Sequence, residues 1–391
     1  MKKKVSILVT CLLLVLSLTV TIVTGITYSK FKNYEVEFKL QEGTIVEKFS
    51  KYSPSLKGTI GDSNIYIIDS GVPGASILVI GGTHPNEPAG QIAATLFLEN
   101  VKVTQGKVFV ITECNKSAYG YSYPLEASPM YYNIQTQTGE RLFKFGTRAT
   151  NNTEQWPNPD VYVHAQSGQK LSASETRNLN RSYPGRIDGT YSERVAFAVA
   201  ECIRQNDITL TVDLHEASPE YVTINAIIFH ERASSIASRV QMAFEAIDLA
   251  ISPEPSPANL HGLTHRELGD YTDTLAFIME TSNASQGKIR GAFTESIIVD
   301  GTTDKFYSRI QALDEERGTK ILYADVTSID ERVARHVYGI QTIISSYNKD
   351  YSKDKLITRR DGTTFKEVGK LIIEGLPDYD EMIQNGIGKY L

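Results

Sequence analysis

Hydrophobic and polar positions fall into three regimes along the chain. Residues 5–26 are uncharged and almost wholly apolar, and follow Lys2, Lys3 and Lys4. As a helix this run would rise about 33 Å, enough to cross a hydrocarbon core of about 30 Å. Residues 27–51 then turn polar and partly extended and read as a stalk. From residue 52 an α/β alternation begins. Ile- and Val-rich runs at 65–68, 76–80 and 107–112, bounded by Gly, Asp and Asn, predict strands. Between the second and third, residues 88–101 carry Ile92, Ala93, Leu96 and Leu98 at helical spacing. Pro88 falls in the first turn, where its missing N–H is harmless.

The alternation continues downstream. Residues 192–205 predict a helix with Val195, Ala198, Val199 and Cys202 on one face, and 208–214 a buried strand. Residues 221–229 and 274–279 predict further strands, and 234–249 and 331–347 further helices. Strands alternating with helices imply an α/β fold, a largely parallel or mixed sheet flanked by helices on both faces. The irregular section 115–180 is rich in Tyr and Pro (Tyr119, Tyr121, Tyr123, Tyr131, Tyr132, Trp156), and loops of that length are usually functional. The expected organisation is an N-terminal helix (1–26), a stalk (27–51), a catalytic domain (52–348) and a C-terminal extension (349–391). In the extension, apolar runs such as Leu371-Ile372-Ile373 are short.

Composition adds exclusions. A net charge of −6 and a pI near 5.8 argue against a nucleic-acid binder. The apolar N-terminal run is long for a cleavable signal and lacks an Ala-x-Ala site after it, which favours a retained signal anchor. The lysines stay inside, so the body faces outward as a single-pass membrane protein, or is secreted if the segment is cleaved. Beyond Cys11, inside the apolar run, only Cys114 and Cys202 remain. One disulfide and two buried thiols both fit.

Chemistry concentrates in Gly81-Gly82-Thr83-His84-Pro85-Asn86-Glu87-Pro88-Ala89-Gly90. A histidine and a glutamate three residues apart, at a strand-to-helix turn, can reach one metal ion. Zinc accepts both ligand types, and a third leaves its fourth position for water. His84 follows a strand, while His215 and Glu280 fall at the expected ends of two others, the edge where open α/β sheets bind ligands.

That block, with Asn178-Leu179-Asn180-Arg181-Ser182-Tyr183-Pro184-Gly185 and Asp213-Leu214-His215-Glu216-Ala217-Ser218, resembles the succinylglutamate desuccinylase/aspartoacylase family of the zinc-carboxypeptidase superfamily. The likeness covers roughly residues 60 to 290. It implies a zinc-carboxypeptidase-like fold and one zinc ion on His84, Glu87 and His215, with Glu280 as the water-activating base. The base assignment is coherent, because a carboxylate on an apolar strand is desolvated and its pKa rises. The resemblance also implies a substrate carboxylate held by Asn180 and Arg181, for which a planar guanidinium is suited. Asn178 departs from the family's usual Asp, which removes an expected charge beside the site. Arg177 and Arg148 both qualify as the donor that polarises the scissile carbonyl.

Other groups carry weaker expectations. Glu216 either bonds near the site or points to the other strand face. His261 and His265 are four apart, but Gly262 disfavours a helix there, so His265 and Arg266 are expected on a loop lining the substrate site. His164, His230 and His336 read as structural or exposed. The expected function is zinc-dependent hydrolysis of an amide or ester bond in a small N-acylated amino acid or related compound. The alternatives are a metallocarboxypeptidase acting on peptides, including cell-wall peptides, and a non-catalytic surface binding module. The expected partners are a substrate with a free carboxylate and the membrane.

Overall fold

A computed structural model describes all residues except 1, 121–127, 302–304, 319–324, 353–355, 360–361 and 367. Tyr121 and Tyr123 thus lie outside the described residues. The chain divides into two compact units, Met1–Glu37 and Phe38–Leu391.

The first unit is a helix, α1 (Lys2–Asn33, 32 residues), apolar on all sides and long enough to cross a membrane by length and composition. It continues past residue 26 because nothing there stops it. Gly25 weakens a helix by about 1 kcal/mol without breaking it, and no proline lies within Lys2–Asn33.

In the second unit, eight strands form one mixed sheet. They are β1 (Ile45–Lys48), β2 (Asn64–Asp69), β3 (Ser76–Ile80), β4 (Lys107–Ile111), β5 (Leu210–Ala217), β6 (Ala226–Phe229), β7 (Ser252–Pro255) and β8 (Leu275–Ser282). Their order is β1-β2-β4-β3-β5-β8-β6-β7, and the central four, β4-β3-β5-β8, are mutually parallel. Central parallel strands are covered on both faces, which explains why β3 is a continuous buried run rather than an alternating one.

Each face has its own helices. Leu78, Ile80, Phe109 and Ile111 share one apolar cluster with Val195, Val199 and Cys202 of α2 (Tyr191–Gln205). A reciprocal capping box fixes the start of α2: Thr190 Oγ1 accepts from Glu193 N–H, and Glu193 Oε2 accepts from Thr190 N–H at 2.7 Å. On the other face, the helix Pro88–Asn100 is buried from Pro88 to Leu98, against β5 and the long helix Ile329–Asp350. Cys114 and Cys202 are free buried thiols, pushed up to about 12 by burial.

Several elements differ from the sequence expectation. β5 and β8 do not stop at their polar residues, because their ladder runs on to Ala217↔Ser282 and satisfies those backbone groups. β1 lies within residues 27–51, and Phe49 just after it is fully buried in the core. β7 contains Pro253 and Pro255, tolerated because it lies at the sheet edge. Section 115–180 holds two small hairpins, Tyr131–Thr136 with Gly139–Lys144 and Val161–Val163 with Lys170–Ser172. In the C-terminal segment, Ile372–Glu374 pairs with Lys102–Gln105, and the Asn348 amide brackets Leu371 through both its backbone groups.

Candidate metal centre and active site

Parallel pairing carries the ends of β3, β5 and β8 to one edge of the sheet. His84 stands in the turn after β3, and Glu87 is the N-cap residue of helix Pro88–Asn100. His215 lies on β5. Gly90 lets that helix approach: a side chain there would strike the Leu214 carbonyl oxygen of β5. The close approach sets Glu87 beside His215.

The three side chains, all buried, converge. Glu87 Oε1 is 2.8 Å from His84 Nδ1, and Oε2 is 2.9 Å from His215 Nδ1. The two imidazoles meet edge to face, with centroids 4.8 Å apart. Their other nitrogens are already committed. His215 Nε2–H donates to Asp213 Oδ2 at 2.7 Å, and His84 Nε2–H donates to Asn178 Oδ1 at 2.9 Å. The Asn178 amide is oriented by its other end, since Nδ2–H donates to Glu175 Oε2 at 2.7 Å. Both Nδ1 atoms therefore face the Glu87 carboxylate. A donor set of two imidazole nitrogens and a carboxylate, each held by a partner behind it, fits a divalent cation.

Electrostatics agree with that fit. Burial raises the Glu87 carboxyl, but His84 and His215 outweigh it and hold it well below the usual range. Burial depresses His215, yet Asp213 and Glu87 overcome it and hold it well above its ordinary value. His84 is lowered, chiefly by burial. The centre is built to hold positive charge.

Glu280 is the direct neighbour of His215 across the β5–β8 ladder. Its Oε2 is buried without a hydrogen-bond partner, and burial pushes its carboxyl up to about 8 against the opposing pull of His215. Arg148, its side chain 44% exposed, brings Nη1 to 4.0 Å from Glu87 Oε1. Arg181 is mostly buried: Nη1–H donates to the Asn180 carbonyl at 2.6 Å, and Nε lies 3.7 Å from Glu175 Oε2. Burial and Arg148 lower its pKa.

Other expected residues serve different partners. Arg177 spends its guanidinium on the Thr150 carbonyl (2.8 Å) and Asn158 Oδ1 (2.9 Å), tying down a loop. Asn180 Oδ1 accepts from Thr264 N–H at 3.0 Å. His265 is on a helix (Thr264–Tyr271) rather than a loop, because the turn begins after Gly262 and escapes its penalty. It is buried and bonded to Ser256 Oγ at 2.7 Å, and burial, then Arg266, lower it to about 3. Arg266 pairs with Glu231 and Asp270. Gly262 lies against the Arg181 carbonyl, where no side chain fits. His164 and His230 are buried and hydrogen-bonded, and His336 is buried against Thr281.

Sequence reasoning missed a supporting layer. Asp213 also accepts from Thr83 Oγ1 (2.8 Å) and Thr264 Oγ1 (2.9 Å), joining β5 to the turn after β3 and to the start of the helix Thr264–Tyr271 behind His215. Its signal was present: Asp213 and His215 are two apart on a strand, hence on one face. Glu216 N–H donates to Glu87 Oε2 at 3.1 Å, while the Glu216 carboxylate accepts from Ala89 N–H at 2.8 Å and pairs with fully buried Arg332 at 2.5 Å. Nothing in the sequence marks Arg332, which reads as the polar side of an amphipathic helix.

No family model and no curated protein matches this chain. Among solved structures it is similar to a succinylglutamate desuccinylase/aspartoacylase from Rhodobacter sphaeroides, with 20% identity and a TM-score of 0.34 over 56% of this chain and 51% of that one. It is also similar to product-bound cell shape determinant protein Csd4 from Helicobacter pylori, with 12% identity and a TM-score of 0.43 over 82% and 59%. A metallo-carboxypeptidase from Burkholderia cenocepacia gives 10% identity and a TM-score of 0.43 over 80% and 66%. The chain spans about half the length of the first of these. At such identities and scores the likeness carries nothing about reaction or substrate.

Proposed function

We propose that the protein is a metal-dependent hydrolase of an amide or ester bond in a small carboxylate-bearing compound, most simply an N-acylated amino acid. The supporting observation is the convergence of His84, Glu87 and His215, both Nδ1 atoms turned towards the shared carboxylate, with Glu280 as the adjoining strand neighbour. His84, Glu87 and His215 would hold one zinc ion. When bound, zinc acts as a Lewis acid that acidifies water and polarises a carbonyl.

The chain's own groups do the rest. Glu280, with an unpartnered oxygen and a raised pKa, takes the proton of the attacking water at Oε2 and returns it to the leaving amine. Arg181 binds the substrate carboxylate. Arg148, exposed and beside Glu87, donates to the carbonyl oxygen as charge develops there. Arg177 is left out of the chemistry, since its Nε and Nη1 donate to Asn158 and the Thr150 carbonyl. α1 anchors the chain, with the body outside the membrane.

The test uses the full chain in detergent. One zinc per chain by metal analysis, with hydrolysis of N-acetylated amino acids above that of short peptides, supports the proposal. E280Q should keep its zinc and lose turnover. Preferential cleavage of peptide C-termini would make it a carboxypeptidase, and bound zinc without any hydrolysis a binding module.

A further inference from the structure

Both inward-facing histidines are backed by a carboxylate, but by different routes. His215 Nε2–H reaches Asp213 directly at 2.7 Å. His84 Nε2–H reaches Asn178 Oδ1 at 2.9 Å, and Asn178 Nδ2–H passes the contact on to Glu175 Oε2 at 2.7 Å. The charge expected at position 178 is therefore present one side chain further out. That same Oε2 lies 3.7 Å from Arg181 Nε. Asn178 joins two 3-10 turns, Ala173–Arg177 and Leu179–Arg181, which bring residues 175, 178 and 181 into this contact.

We infer that Glu175 is a positioning residue with two opposed duties: through Asn178 it orients and polarises His84 as a metal ligand, and through Arg181 it competes with the substrate's carboxylate. The inference rests on the proposed hydrolase function and adds a coupling inside it. A carboxylate behind a ligating histidine makes the imidazole more basic and fixes its ring, and loss of such a partner typically weakens metal binding 10- to 100-fold. A carboxylate beside a guanidinium weakens the attraction of that guanidinium for a second carboxylate. At 3.7 Å and partly exposed, this effect is modest.

Removing the charge thus moves two quantities in opposite senses. In the full chain, Glu175→Gln should weaken zinc binding about tenfold, read by competition with a chromophoric chelator. It should also lower KM by roughly two- to fivefold for an N-acetylated amino acid that the wild type hydrolyses. The double variant E175Q/N178D returns a carboxylate to His84 directly. It should restore zinc affinity to within about twofold of wild type while KM stays low, an outcome that a generally damaged loop cannot give. Unchanged zinc affinity in E175Q, a KM that rises with the loss of zinc, or a double variant that fails to regain zinc would each overturn the inference. Any of these in a wild type that binds zinc and turns over substrate leaves the hydrolase proposal standing. A wild type that binds no zinc removes that proposal itself.

Discussion

His215 and Glu280 are paired residues of adjacent parallel strands, so their side chains emerge on the same face one strand spacing apart. The distance between a proposed metal ligand and the proposed base is thus set by the backbone ladder of the sheet's centre and not by a loop. A rigid ladder cannot follow a shortened side chain. Glu280→Asp should therefore withdraw the carboxylate by more than 1 Å and lower kcat by about 10²-fold or more, with zinc content unchanged. Steady-state kinetics beside metal analysis decide it. Near-normal turnover by E280D would mean that the base lies elsewhere.

The ion pair between Glu216 and Arg332 is wholly buried and ties Ala89 N–H, at the start of the helix that carries Glu87, to the long helix Ile329–Asp350. Breaking one half strands the other charge out of water. Arg332→Met should cost about 3–5 kcal/mol of stability, and the double variant R332M/E216Q should recover much of it. Urea denaturation of the metal-free chain measures both. Equal stability of the single and double variants would show that the pair is solvated.

In the metal-free protein several buried groups set opposite pH limits, Glu280 with His215 on the alkaline side and Glu87, His265 and His336 on the acid side. Glu280 is raised from 4.5 to about 8, so its contribution is complete below pH 4.5 and is lost as pH rises through 8. His265 and His336 are both lowered from 6.5 to about 3, chiefly by burial, so theirs is complete above pH 6.5 and is lost as pH falls toward 3. E280Q removes Glu280's share of the alkaline decline. Its stability relative to wild type should grow between pH 4.5 and 8 by up to about 1.4 kcal/mol per pH unit. A difference that stays flat across this window would mean that Glu280 titrates normally.

The sheet's interior was legible in the sequence because buried parallel strands are unbroken apolar runs: the expected strand at 76–80 and the observed β3 coincide. The edges were not. β1 is mostly exposed, and β7 is half proline, so neither carries a period-two pattern. At the site, His84, His215 and Glu280 were marked by residue type at expected strand ends, and Glu87 by its three-residue spacing from His84. Arg177 and Arg148 were indistinguishable by type, and only their partners separate them. Arg332 and Glu175 act through contacts over 116 and 3 positions in sequence, the first beyond any local pattern and the second hidden by the irregular backbone around Asn178.

Arg148 and Arg177 should therefore fail in different ways when shortened. Arg148 is solvent-accessible at the edge of the candidate metal centre and makes a long 4.0 Å approach to Glu87, so it is free to turn to a substrate oxygen. Arg148→Ala should lower kcat by roughly 10²–10³, the range for loss of one donor to a developing oxyanion, with little change in thermal stability. Arg177 instead donates from its buried guanidinium to the Thr150 carbonyl and Asn158. Arg177→Ala leaves that carbonyl without its donor, so it should lower stability by about 1–3 kcal/mol. Activity per folded molecule should stay close to wild type. Kinetics and thermal melts on the two variants separate the roles. The reverse pattern, a stable but inactive R177A beside an unstable R148A, would transfer the carbonyl-polarising role to Arg177.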